Sequence, residues 1–108
     1  MRQYTIYLGG DNRNNGRMDR EKVIAVVLQY FPNGATVHFG TGIWGKPLAG
    51  ETGILSCSEE VAMISVLRDL SCEPDLDSVV YRFIRALKQM FEQEYVLFTY
   101  HDVNGGLR

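Results

Sequence analysis

The hydrophobic period of the sequence changes at residues 32–34, Pro-Asn-Gly, and this change constrains the fold more than any other feature. Before this tripeptide, apolar residues recur at the three- and four-residue spacing of a helix; after it they alternate, as in a strand. Proline and glycine end helices and favour turns. The pattern therefore predicts a first helix with Asp19 as its N-cap and a following strand from Ala35 to about Phe39. Gly40, Gly42 and Gly45 then predict a twist or a bulge.

Three further segments show clear periodicity. Residues 3–8 alternate apolar and polar side chains and predict a first strand, and residues 95–101 predict a last one. Apolar residues between 80 and 91 fall at helical spacing, which predicts a second helix with Asp77 as its N-cap and an end near Gln93.

Residues 61–70 form a nearly continuous apolar run that leaves two structures open. Such a run suits an inner strand, but its alanine, methionine and leucine residues are also good helix formers, and residues 58–60, Ser-Glu-Glu, could cap a helix. If the run is a strand, the order is β-α-β-β-α-β, the ferredoxin-like pattern. Right-handed crossovers then place both helices on one face of a four-stranded antiparallel sheet of order 4-1-3-2.

The size of the chain fits this single fold. A chain of 108 residues with 45% apolar and 22% charged residues is long enough to bury one core. We predict one α+β domain over residues 1–102 and a flexible tail over residues 103–108.

Three short motifs resemble those of a known family. They are YFPNGATV at residues 30–37, GIW at residues 42–44 and FEQEYV at residues 91–96. The set resembles small bacterial and phage proteins of the DUF3574 type, whose pattern is F-P-x-G-x-T-V, then G-x-W, then F-x-Q-E-S-V; Tyr95 stands where that pattern has serine. The resemblance implies an α+β sandwich and favours a strand at residues 61–67. It implies no established activity.

Five residues are candidates for ligand binding. Arg13 and Arg17 lie in a polar, glycine-containing loop before the first helix, where arginines and free backbone N–H groups suit an anion, although the loop could be merely solvated. Trp44 offers a stacking wall, or a core ring, and Lys46 a neighbouring cation. Gln93 follows the second helix, where its amide could bind a ligand or pair with backbone groups of the turn. Together they predict a small anionic or nucleotide-like ligand, without a phosphate-loop motif.

Candidates for catalysis are fewer. His38 and His101 could act as acid–base groups, but the predicted strand order places them on opposite edges of the sheet, about 14 Å apart at ~4.8 Å per strand. That separation excludes a shared metal ion, and two ligands are too few for zinc. Cys57 and Cys72 have no activating neighbour in sequence and are expected to be free thiols. No cofactor and no metal are predicted.

Charge and patterning also limit the partners. A net charge of -2, and a third strand without stacking rings, argue against an RNA-recognition module and sequence-specific nucleic-acid binding. No apolar run is long enough to span a membrane and no signal-peptide pattern is present, so we expect a cytoplasmic protein. The open sheet face, which includes Thr5, Tyr7 and Leu97, is apolar enough to predict a homodimer.

These observations support three functions, ranked by fold analogy and by the candidate residues. The first is a non-catalytic binding protein, encoded by a phage or mobile element, that sequesters a small anionic or nucleotide ligand or inhibits a host defence protein in the host cytoplasm. The second is a small dimeric ferredoxin-like enzyme that uses His38 or His101 as acid–base. The third is an interaction module that binds through its sheet face.

Overall fold

The sheet and helices follow the predicted ferredoxin-like order. The computed structural model describes residues 1–10, 16–47 and 54–104, without the side chains of residues 44–47 and 54–57. The elements are β1 (Arg2–Leu8), α1 (Arg20–Tyr30), β2 (Thr36–Pro47), β3 (Ile54–Arg68), α2 (Leu76–Met90) and β4 (Leu97–Asp102). Within this part of the chain the strands form one antiparallel sheet of order β2-β3-β1-β4. The predicted fold is confirmed.

The central strand β1 decides which face of the sheet becomes the core. Tyr4, Ile6 and Leu8 are buried beneath the helices, whereas Tyr7 points to the other face and is 41% exposed. The ring of Phe83 on α2 meets the ring of Phe31 edge-on, with centroids 5.0 Å apart, and so joins the two helices. The remaining buried side chains of the sheet and helices include Val23, Val26, Val27, Ala62, Ile64, Val66, Val80 and Leu87.

The first helix begins where the sequence predicts. The Asp19 side chain accepts a hydrogen bond from the backbone N–H of Lys22 at 3.1 Å, as an N-cap does. The helix ends at Tyr30, and the Gly34 N–H donates to the Phe31 carbonyl at 3.0 Å to close the turn.

The predicted N-cap of the second helix is wrong by two residues. Asp75 occupies the N-cap position, and Asp77 lies in the first helical turn. The Asp77 carboxylate instead accepts hydrogen bonds from the Tyr4 hydroxyl and from the Arg2 guanidinium. Residues of β1 therefore bind the Asp77 side chain, which local sequence rules assign to helix capping.

The second helix also ends before Gln93, at Met90. Glu92 has φ 47°, a left-handed conformation that a helix cannot continue, and the Gln93 N–H donates to the Lys88 carbonyl at 3.0 Å. The last strand therefore begins at Leu97 rather than Tyr95.

Residues 61–70 resolve mainly as a strand, because β3 runs from Ile54 to Arg68. β2 extends to Pro47 instead of ending near Phe39, and its pairing with β3 continues in one register from Thr36 opposite Ser65 to Pro47 opposite Ile54. This continuous register contains no bulge, because glycines keep both backbone groups and can pair in a regular ladder. The alternative, a twist, stays a prediction.

The long hairpin extends beyond the rest of the sheet. β1 pairs with β3 only at residues 62–68, so residues 40–47 and 54–61 form a two-stranded extension, here called the arm. A 15-residue strand spans about 50 Å at ~3.3 Å per residue, which accounts for a longest dimension of 56 Å. Neither α1 nor α2, the helices of the described chain, is long and apolar enough to span a membrane.

The end of the chain is described only as far as residue 104. There Met1 and Val103 exchange backbone hydrogen bonds, at 3.2 Å and 2.7 Å, beside the pairing of β1 with β4. The predicted tail lies mostly outside the described residues, and the single-domain boundary at residue 102 stays a prediction.

Candidate functional site

A groove of about 430 Å³ opens on the uncovered face of the sheet, where β1 ends. The strand register places Tyr7, His38 and Met63 side by side on that face, with Val61 and Glu59 following along β3. Successive side chains of a strand point to opposite faces of the sheet. One set faces the helices, and the other set, which includes these side chains, forms the groove on the uncovered face. It is the best candidate for a ligand site in the described part of the chain.

The charge of this groove is negative. Glu59 is the acidic residue among its lining residues, and no lysine or arginine lines the groove in the part of the chain that the structure describes. Tyr7, Val61 and Met63 supply apolar and aromatic surface around it. A carboxylate with apolar neighbours attracts a cationic ligand and repels phosphate groups.

Backbone contacts hold the Glu59 carboxylate in place. The Gly10 N–H donates to Glu59 Oε2 at 3.2 Å. The next residue, Glu60, lies on the other face of the strand and accepts a hydrogen bond from the Met18 N–H at 2.9 Å, while its own N–H donates to the Gly16 carbonyl at 3.0 Å. Two adjacent glutamates therefore fix the segments on both sides of residues 11–15.

The segment at Gly10 requires a glycine. A Cβ added there would lie 2.1 Å from the carbonyl oxygen of Gly16, well inside van der Waals contact. The backbone of residue 10 can therefore approach residue 16, and both can approach β3, only without a side chain.

Gln93 also contacts this segment. Its Nε2 donates to the carbonyl oxygens of Gly10 at 2.6 Å and of Phe91 at 3.2 Å. A Cβ at Gly9 would lie 3.2 Å from both Gln93 Oε1 and Glu59 Oε1, so the amide and the carboxylate flank one glycine. The pairing with backbone groups is the structural role weighed for Gln93 in the sequence.

The other predicted ligand residues are not brought together at the groove. Arg13 lies outside the described residues, and Arg17 is exposed and does not line the groove. Trp44 and Lys46 lie on the arm, where their backbones pair with Cys57 and Leu55, but their side chains lie outside the described part of the structure. Their binding roles stay predictions.

The two histidines occupy opposite edge strands, as predicted from the strand order. His38 on β2 lines the groove, whereas His101 lies on β4, with β3 and β1 between the two strands. No group of three metal-ligating side chains occurs among the described residues. Cys72 is a free, exposed thiol, and the Cys57 side chain lies outside the description.

Sequence reasoning missed Glu59. Because residues 58–60 resemble a helix cap, Glu59 is not among the ligand-binding residues that the sequence predicts. Glu59 lies two residues before Val61 and therefore on the same face of β3. This relation is apparent only once residues 61–70 are known to be mainly a strand.

Two other polar clusters have structural partners. The Arg68 guanidinium donates to the carbonyls of Gly34 and Leu67 and pairs with Glu73 at 3.3 Å, beside a cavity of about 330 Å³ between the end of α1 and the start of α2. At the far end of β1, Arg2 pairs with Asp102 at 2.8 Å.

The second of these clusters alters two pKa values. Burial, and then the hydrogen bond to Asp77, raise the pKa of Tyr4 to about 12. The hydrogen bond from Arg2 holds the pKa of Asp102 below its ordinary value. These contacts join β1, α2 and β4.

The fold is shared with several solved structures. A phage SAM lyase in complex with S-methyl-5'-thioadenosine is 15% identical, with a TM-score of 0.67 over 94% of this chain and 80% of that one. The periplasmic divalent cation tolerance protein CutA from Archaeoglobus fulgidus is 15% identical, with a TM-score of 0.53 over 100% and 89% of the two chains. A Bacillus subtilis GlnK–ATP complex is 9% identical, with a TM-score of 0.51 over 94% and 84%.

These similarities establish a common fold, without establishing a common activity. No protein-family model and no curated protein sequence matches the chain.

Proposed function

We propose that this protein binds S-adenosylmethionine in the groove beside Glu59 and cleaves it as a lyase. The observation that supports this most directly is the Glu59 carboxylate among apolar and aromatic residues, with no basic residue in the described lining. Such a site suits a nucleoside that carries positive charge on a sulfonium and an ammonium group. The fold shared with a phage SAM lyase adds support.

The chemistry of the proposed reaction needs no second reactant. The substrate's own carboxylate attacks Cγ, the side-chain methylene of the methionine part that is bonded to sulfur. The bond between Cγ and sulfur breaks, and its electron pair goes to sulfur. The products are neutral S-methyl-5'-thioadenosine and a lactone that keeps the ammonium group, so atoms and charge balance. Carboxylate and sulfonium neutralise each other along this path, and apolar walls such as Val61 and Met63 favour that loss of charge.

The proposed role of Glu59 is to hold the cationic part of the substrate. In this role Glu59→Gln removes a charge but keeps an acceptor for the Gly10 N–H. A hydrogen bond to a charged group contributes about 1.5–3 kcal/mol, so S-adenosylmethionine should bind roughly tenfold to hundredfold more weakly. Affinity for neutral S-methyl-5'-thioadenosine should change by less than about twofold.

Glu60→Gln is the matched control, because Glu60 is the same residue type on the other face of the strand. Calorimetric titration with both ligands measures the affinities, and chromatography of S-methyl-5'-thioadenosine measures turnover. Wild-type protein that neither binds S-adenosylmethionine nor forms the thioether would refute the proposal. Equal losses in Glu59→Gln and Glu60→Gln would refute the site.

A non-catalytic binding protein is the second candidate. It would sequester a nucleotide through Arg13, Arg17, Trp44 and Lys46, and the fold shared with a GlnK–ATP complex favours this ligand class. Titration with ATP tests it: saturable binding that Arg17→Ala weakens, with no product formed from S-adenosylmethionine, would favour sequestration. Four further predictions accompany this candidate: inhibition of a host defence protein, phage or mobile-element origin, DUF3574-type membership and a cytoplasmic location.

Self-association through the open sheet face is part of either proposal. Leu67 and Leu97, which do not line the groove, are 44% and 63% exposed there, and apolar patches of this kind are typical of partner surfaces. Light scattering at micromolar concentration should show a homodimer that Leu97→Lys dissociates and that Ile24→Lys, on the outside of α1, leaves intact. A monomeric wild-type protein would contradict this part.

A further inference from the structure

We infer that Gln93 is a positioning residue for Glu59 and acts through Gly10, an inference that rests on the proposed function of the groove. The Gln93 amide donates to the Gly10 carbonyl at 2.6 Å, and the Gly10 N–H donates to the Glu59 carboxylate at 3.2 Å. The end of α2 is thereby connected to the acidic group of the groove through a single residue.

Gly10 needs an external contact to keep its N–H aimed at Glu59. It follows another glycine, and glycine has the widest choice of backbone conformations of any residue. The Gly16 carbonyl excludes a side chain at residue 10, so no Cβ can restrict that choice. The Gln93 hydrogen bond supplies the restriction from outside.

Gln93 is itself held in a defined position. Its backbone N–H donates to the Lys88 carbonyl at 3.0 Å after the left-handed residue Glu92, which fixes the turn that follows α2. Its Nε2 contacts two carbonyl oxygens, Gly10 and Phe91, and this determines which end of the amide is the donor. Gln93 is not among the residues that line the groove, so its proposed role is to orient Gly10 rather than to contact the ligand.

The test compares Gln93→Met, which keeps the length of the side chain and removes its amide, with Gln29→Met on the exposed face of α1. The measured quantity is the ratio of the affinities for S-adenosylmethionine and S-methyl-5'-thioadenosine. We expect Gln93→Met to lower this ratio about threefold to tenfold, because the carboxylate is no longer held against the cation. Gln29→Met should leave it unchanged.

A merely structural role would weaken both ligands equally and leave the ratio unchanged. In a Glu59→Gln background, Gln93→Met should lower the ratio no further, since the group that it positions has lost its charge. If Gln93→Met keeps the wild-type ratio of the affinities for S-adenosylmethionine and S-methyl-5'-thioadenosine, the inference is overturned while the proposed function stands.

A ligand-free measurement separates failure of the inference from failure of the proposed function. Amide hydrogen exchange at Gly10 should be faster in Gln93→Met than in wild type and in Gln29→Met. If wild-type protein does not bind S-adenosylmethionine, the proposed function is wrong and the role of Gln93 in ligand discrimination falls with it. Unchanged exchange at Gly10 would overturn the positioning contact itself, whether or not the ligand binds.

Discussion

The hydroxyl of Tyr4 gives a stability prediction that can be worked through from the structure. Tyr4 is 2% exposed on the core face of β1, and its hydroxyl donates to the Asp77 carboxylate on α2. Tyr4→Phe keeps the buried ring, which lies with its centroid 5.4 Å from that of Tyr100, and removes only the hydrogen bond. The substitution therefore isolates one contact between the sheet and a helix.

The expected loss follows from the two partners. A hydrogen bond to a charged acceptor contributes about 1.5–3 kcal/mol. The Asp77 side chain is 50% exposed and keeps its contact with Arg2, so water can replace part of the lost bond. We therefore expect Tyr4→Phe to lower the free energy of unfolding by about 1.5 kcal/mol, which corresponds to roughly 6 °C in Tm for a domain of this size.

The difference in free energy of unfolding between wild type and Tyr4→Phe should also depend on pH. Because the pKa of Tyr4 rises from 10.0 to about 12 on folding, the folded state holds the phenolic proton more tightly than the unfolded state. The stabilisation is complete below pH 10 and is lost as the pH rises towards 12, so the difference between wild type and Tyr4→Phe should shrink over that range.

Urea unfolding at pH 8 and at pH 11.5 measures the Tyr4 difference, with Tyr100→Phe on the exposed neighbouring strand as the control. Tyr100→Phe should stay within about 0.5 kcal/mol of wild type. A Tyr4→Phe difference below about 0.5 kcal/mol at pH 8, or one of the same size at both pH values, would refute the reasoning.

Two glycine-to-alanine substitutions should differ in how much stability they cost. Gly10→Ala places a methyl group against the Gly16 carbonyl and should cost about 2 kcal/mol, whereas Gly40→Ala, whose added Cβ meets only a methyl group of Val61 at 3.9 Å, should cost less. Urea midpoints measure both, and equal losses for the two alanine variants would contradict these expectations.

The fold was predictable because most elements show the hydrophobic period of their secondary structure in the sequence. β1 alternates cleanly and α2 has a strong helical stripe, so local pattern and final structure agree. Residues 61–70 were ambiguous because β3 carries apolar side chains on both faces: Ala62, Ile64 and Val66 are buried, whereas Val61, Met63 and Leu67 lie on the open face. The run therefore lacks the alternation that identifies a strand. Pairing with β1 and β2, which sequence alone does not display, decides between the two structures.

The site was less predictable, for a related reason. Asp77 was misassigned because Tyr4 and Arg2, more than 70 residues away in sequence, compete for its carboxylate. Glu59 was missed because its place on the groove depends on the register of β3. Both side chains act through contacts distant in sequence, which no local rule contains.

The arm has a thermodynamic consequence. Beyond Glu60, whose N–H donates to the Gly16 carbonyl, the strands of the arm pair with each other, and Ile43 on the helix-facing side is 75% exposed. Little core therefore supports this part of the described structure. Such a ribbon can open locally while residues 62–66 of β3 stay packed. Glu59 lies at its base, and a ligand bound there would stabilise the closed form by about 2.7 kcal/mol at a hundredfold excess over its Kd. Ligand concentration would then set how often the arm opens.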